Sequence, residues 1–155
     1  MQGKAAFRGH PVHLMLISFP VAFWSGALIT DAIGARSGDG FWFRMSVVLI
    51  AMGTVGAVLA SIFGYIDHLT VPMSKRARFV ASCHLFASLA TVAVFAIAFA
   101  LRENNERSPL GIAVTILGAL GLLFGGYFGS ELSNRFGIGV LERAPRRPQR
   151  RETTP

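Results

Sequence analysis

Apolar residues gather into four long runs separated by short polar breaks, at roughly 11–33, 41–67, 79–101 and 109–132. About 20 apolar residues carry a helix across about 30 Å of hydrocarbon, so each run predicts one membrane span. The breaks read as turns. Gly34 to Gly40 contains Ser37 and Asp39, His68 to Arg78 is a basic loop with Pro72, and Arg102 to Ser108 is charged. Pro11 and Pro109 sit where their spans begin, a position at which a missing N–H costs nothing. Pro20 falls inside the first span and predicts a kink, tolerated in a membrane when neighbours satisfy the freed carbonyl. Phe41, Trp42 and Phe43 open the second span and read as an interfacial aromatic belt. The fold class is all-α, an integral membrane four-helix bundle over 11–132. Residues 1–10 form a basic arm, and 133–155 form a polar, Arg- and Pro-rich tail whose end is expected to be disordered.

Four spans leave both termini on one side, here side A, together with the loop between spans two and three. Side A carries eleven cations: Lys4, Arg8, Lys75, Arg76, Arg78, Arg135, Arg143, Arg146, Arg147, Arg150 and Arg151. Side B carries four, Arg36, Arg44, Arg102 and Arg107. The positive-inside rule then makes side A, and both termini, cytoplasmic. Composition agrees with a membrane setting. Of 155 residues, 52% are apolar and only 15% charged, against about 25% charged in soluble domains. A net charge of +7 alone would suggest nucleic acid. The cations lie in loops and the tail, however, where membrane topology accounts for them, so the expected partner is the lipid bilayer and not a nucleic acid. The first run is longer than the apolar core of a signal peptide and lacks a small-residue cleavage site, so it reads as a span. Cys83 is the single cysteine, which excludes an intramolecular disulfide, a CxxC metal site and an iron–sulfur cluster held by this chain alone. A buried, inert thiol is its expected state.

Small residues recur every four positions on two spans: Gly56, Ala60 and Gly64 on the second, Gly121, Gly125 and Gly129 on the fourth. Such stripes let helix backbones approach closely. They suit packing within the chain, a face for a homo-oligomer or a larger membrane complex, or room for a flat cofactor.

The candidate chemistry lies at side A. His10 and His13 are on one helix face at the mouth of span one, Asp67 and His68 close span two, His84 lies a short way into span three, and Glu131 ends span four. Ionisable groups near lipid are costly unless paired, ligated or wetted, so a cluster at one depth is a candidate site. Two versions are open. In one, His13 and His84 are axial ligands of a haem b. In the other, His10, His13, Asp67 and His84 bind a non-haem transition metal with Glu131 as a further ligand or its support. His68 is the weakest member, since a residue starting a loop can point into water. The spacings match neither HExxH nor the ExxH pairs of di-iron bundles. Helix capping and pairing with Arg8, Lys75, Arg76 or Arg135 are the plain alternative for the acids. Asp31, the one acid within a span near side B, is expected to pair with Arg36, Arg44 or Arg102.

Residues 9–20, Gly-His-Pro-Val-His-Leu-Met-Leu-Ile-Ser-Phe-Pro, resemble the opening of a bacterial membrane family known as domain of unknown function 2231. Gly64-Tyr65-Ile66-Asp67 resembles its second motif. His84, and Gly125-Gly126 followed by Glu131 and Phe136-Gly137-Ile138-Gly139-Val140, resemble its third and fourth. The resemblance covers about residues 8–141 and implies a multi-pass protein of the bacterial inner (plasma) membrane. Some relatives carry a fused Rieske-type iron–sulfur domain, which implies electron transfer for the membrane part. The function expected is thus a haem- or metal-binding redox component. The rival is a non-catalytic accessory or assembly subunit docking through its glycine faces. A transporter is disfavoured, since no span is visibly broken at the midplane.

Overall fold

A computed structural model describes residues 6–8 and 10–140; Lys4 and the basic tail beyond residue 140 lie outside the described residues. A two-residue antiparallel ladder, β1 (Ala6–Phe7) on β2 (His10–Pro11), leads into helices α1 (Val12–Leu16), α2 (Ser18–Ser37), α3 (Gly40–Thr70), α4 (Lys75–Arg102) and α5 (Pro109–Phe136). Taking α1 and α2 together, four helices are long and apolar enough to cross a membrane. Large apolar side chains such as Phe79, Phe86, Leu123 and Tyr127 stand exposed on the outside of the bundle, where lipid covers them.

The break between α1 and α2 falls at Ile17, where the expected kink arises. Pro20 has no N–H to give the carbonyl one turn earlier, and the next bond, Val21 N–H to the Ile17 carbonyl, is stretched to 3.3 Å. The remaining connections are short and capped. Gly38 ends α2 in the left-handed region at φ 72°, and the Asp39 side chain then accepts from the Phe41 amide to start α3. The turn expected over Gly34 to Gly40 is therefore only two residues long. Ser74 and Ser108 cap α4 and α5 in the same way, accepting from the Ala77 and Gly111 amides. Phe43 departs from the expected aromatic belt. It is buried with its ring on Gly34, while Phe41 stays exposed, because successive helical residues point about 100° apart.

The bundle is a tandem repeat of one helix hairpin. Its first half is α1–α2 with α3, its second is α4 with α5. Asp31 and Arg102 lie 71 positions apart, and the same offset relates His13 to His84, Trp24 to Phe95, and Ala27 to Ala98. A second common offset relates Gly53, Gly56, Ala60 and Gly64 of α3 to Gly118, Gly121, Gly125 and Gly129 of α5. The contacts repeat with the residues. Trp24 lies on Gly53 as Phe95 lies on Gly118, Pro20 on Gly56 as Thr91 on Gly121, and His13 on Gly64 as His84 on Gly129. Three of these positions meet their own counterparts: the rings of His13 and His84, the stacked rings of Trp24 and Phe95, and the charges of Asp31 and Arg102. Counterparts touch only along a two-fold axis, so a pseudo-two-fold axis runs lengthwise between the hairpins, the parallel-repeat arrangement known in membrane transporters.

This symmetry organises the core. Trp24 and Phe95 stack at 4.1 Å with planes 8° apart, and the Trp24 indole N–H donates to the Ile50 carbonyl. Ala27, Ile50 and Ala57 pack around them. At side B, Arg102 is completely buried and donates through both terminal nitrogens to Asp31 at 2.6 and 2.7 Å. It also donates to the Thr115 hydroxyl and to the Glu106 carbonyl. The expected pairing of Asp31 is thus made with Arg102, which joins α2 to α4 and α5. Hydroxyls within the spans bond back to their own helices, as Thr54, Ser61, Thr91 and Thr115 do, so none of these four meets lipid unpaired.

Candidate cofactor site

Toward side A the two hairpins part, and a cavity of about 400 Å³ opens below the Trp24–Phe95 stack, Trp24 lining its inner end. That volume is in the range of ligand pockets, about 300–1,000 Å³. His13 enters it from α1 and His84 from α4. Each imidazole is tied to the other helix of its own hairpin: His13 Nδ1 is 2.8 Å from the Ala60 carbonyl, His84 Nδ1 2.9 Å from the Gly125 carbonyl. A carbonyl only accepts, so each Nδ1 is the donor, and in the neutral imidazole Nε2 is the acceptor nitrogen. The ring centres stand 6.4 Å apart with planes 82° to one another.

Glycine makes this placement possible. A Cβ at Gly64 would come within 2.9 Å of the His13 ring, and one at Gly129 within 3.2 Å of the His84 ring. The small stripes are used the same way along their length. Gly56 meets Pro20, Gly121 meets Thr91, and Gly125 supplies the carbonyl that holds His84 while its own Cα faces Ser88. Gly126 also lines the cavity, with no atom within 4 Å of an added Cβ. Gly56, Gly64, Gly121 and Gly129 pack the chain against itself.

Of the expected ligands, the structure brings together His13 and His84 and places Asp67 and His68 on the wall of the same cavity. It holds the other two apart. His10 is exposed on β2, its Nδ1 3.2 Å from the Arg8 carbonyl, and Glu131 pairs with Arg135 at 2.7 Å one turn on along α5. Among the described residues no group of three or more His, Cys, Asp or Glu side chains is placed to hold a metal ion. Cys83 is free and half-buried, and it is not among the cavity-lining residues. His68, read as the weakest member, has its Nδ1 hidden from water without a partner among the described residues. Residues not singled out from the sequence complete the walls: Trp24, Ser61, Ser88, Ser130 and Ser133. The signal that would have found Trp24 is the shared spacing of His13–Trp24–Asp31 and His84–Phe95–Arg102.

The two imidazoles can share one bound metal. On opposite sides of an ion, each bonded at ~2.0–2.1 Å, imidazole centres stand about 6 Å apart, against about 5 Å at a tetrahedral angle. The observed centre-to-centre spacing of 6.4 Å is nearer the first value. Two protein ligands cannot close a metal site by themselves. They can close one in which a planar macrocycle fills the remaining positions.

No curated protein matches the chain. No solved structure matches it. Residues 9–142 match the family described as "Predicted membrane protein (DUF2231)", a stretch that takes in both histidines, both hairpins and the mouth of the cavity, and the chain belongs to that family.

Proposed function

We propose that this protein is a haem-binding electron-transfer component of the bacterial inner membrane, with His13 and His84 as axial ligands. One observation carries the reading: two imidazoles line one cavity with ring centres 6.4 Å apart and planes 82° to one another, each with its Nδ1 held by a backbone carbonyl. Such outward hydrogen bonds fix the tautomer and the ring direction and make the ligating nitrogen more basic. A bound haem supplies one-electron chemistry. The chain supplies the rest. Glycines at 64 and 129 leave room beside the rings, the walls are mainly apolar, and Trp24 lines the inner end. The repeat supports the same reading, because His13 and His84 are counterparts and would hold a shared group equivalently from the two hairpins. The accessory-subunit alternative draws no support from its glycine faces, since Gly56, Gly64, Gly121 and Gly129 already pack within the chain.

The test is a reduced-minus-oxidised visible spectrum with metal analysis on protein purified in mild detergent. The expected result is a Soret band with stoichiometric iron, both lost in His13→Ala and in His84→Ala while the helical circular dichroism persists. A featureless spectrum and no metal in the wild type would sink the reading.

A further inference from the structure

We infer that residues 137–140 form a strap across the mouth of the cavity, with Ile138 as its stopper and Gly137 as its hinge. The inference goes beyond the cofactor reading, since a strap governs entry whatever the cavity holds. The run Phe136-Gly137-Ile138-Gly139-Val140 has no part in the histidine pair. It leaves α5 at side A and turns at Gly137, in the left-handed region at φ 62°. The turn is closed by the Ile138 amide, which donates to the Leu132 carbonyl at 3.1 Å. A second left-handed glycine, Gly139 at φ 79°, follows at once and lies against the Leu14 side chain of α1. The segment therefore crosses from the second hairpin to the first at the end where the two part. Ile138 and Gly139 both line the cavity there, and Ile138 is half-buried although it stands beyond the end of α5.

The repeat shows why this rim, and not the other, is free to move. The common offset that relates α3 to α5 makes Met73 the counterpart of Ile138, and Met73 also lines the cavity. Met73 is held between two helices, since α3 ends at Thr70 and α4 begins at Lys75 behind its Ser74 cap. Ile138 has α5 before it, and among the described residues no helix follows it. Opening the strap breaks the Ile138 hydrogen bond and the Leu14 contact while every span stays in place. Segments held in that way open at the low end of a protein's range of local stabilities. Glycine suits both ends of the moving piece, because it adopts φ of either sign at no steric cost.

The test times the entry of a reagent. Full-length protein in mild detergent, with Cys83→Ser and Ser88→Cys as the parent, carries a single thiol, and that thiol lies in the cavity. It is modified with a quaternary-ammonium methanethiosulfonate, a charged probe that arrives from water. Gly139→Ala keeps Ile138 but puts a side chain in the left-handed region and against Leu14. It should raise the rate about tenfold, the effect of such backbone strain on the closed strap. Ile138→Ala should raise it by a similar factor, and it gives the second measure if Gly139→Ala expresses poorly. Met73→Ala shortens the tethered rim and should change the rate far less. Failure of a folded strap variant to raise the rate, or a rise in Met73→Ala as large as theirs, overturns the strap. A visible spectrum of the same samples reads cofactor content separately, so the strap and the histidine reading stand or fall independently.

Discussion

Arg102 and Asp31 show how much one residue pair decides in a bundle this thin. Both are buried, and among the described residues their bidentate contact is the one link at side B between opposite charges on the pseudo-axis. Removing one partner of a buried pair costs about 3–5 kcal/mol, because the other charge is left in low dielectric. Arg102→Ala and Asp31→Asn should therefore each lower the detergent melting temperature sharply, whereas Asp31→Leu with Arg102→Met should recover most of the loss. The axis makes a stronger forecast. Exchanging the two, Asp31→Arg with Arg102→Asp, should fold, because each position faces its counterpart. The exchange loses the contacts of Arg102 with the Thr115 hydroxyl, whose counterpart is the apolar Ile50, and with the Glu106 carbonyl, and so should cost about 2 kcal/mol relative to wild type. An exchanged protein no more stable than either single variant would contradict the symmetric reading of the pair.

At the scale of elements, small residues set how near the helices come. Gly121 and Gly126 sit on one helix and differ only in what lies opposite. A methyl group at Gly121 would run into the Thr91 hydroxyl, while at Gly126 it would meet nothing within 4 Å. Gly121→Ala should destabilise the α4–α5 hairpin by about 1–3 kcal/mol. Gly126→Ala should be neutral or stabilising by up to about 1 kcal/mol, since alanine favours the helix. Thermal unfolding of the two variants side by side distinguishes this packing account from one in which the whole glycine stripe is a docking face; docking would make both variants lose a partner without losing stability.

The whole molecule is two hairpins around one axis, with a closed end at the buried ion pair and an open end at side A. The reading of side A as cytoplasmic rests on charge. Among the described residues Arg8, Lys75, Arg76, Arg78 and Arg135 lie there, while Arg102 at side B is neutralised within the fold. With Cys83→Ser as background, Pro72→Cys in the exposed α3–α4 turn should resist a membrane-impermeant maleimide applied to intact spheroplasts, and Asn104→Cys in the α4–α5 turn should react. The opposite pattern would place the cavity mouth on the outer side and with it any redox partner.

Sequence by itself determined the spans, because the bilayer demands long apolar helices and leaves that demand written in consecutive residues. It also determined the kink at Pro20, the turns between the spans and the family, while the caps at Asp39, Ser74 and Ser108 emerged from the structure. It drew up a short list for the site, from which His13 and His84 meet. What it left open, only the tertiary structure decided. His10 and Glu131 share a depth with the cavity but not a direction, and lateral direction depends on how helices rotate against one another. The use of the glycine stripes, the choice of Arg102 over Arg36 and Arg44, and the turning-in of Phe43 depend on the same rotations. The pairing of hairpins around an axis was written in the spacings of His13, Trp24 and Asp31 against His84, Phe95 and Arg102. It became legible only when counterparts were found in contact, because Trp24 against Phe95 and Asp31 against Arg102 differ in type although His13 and His84 do not.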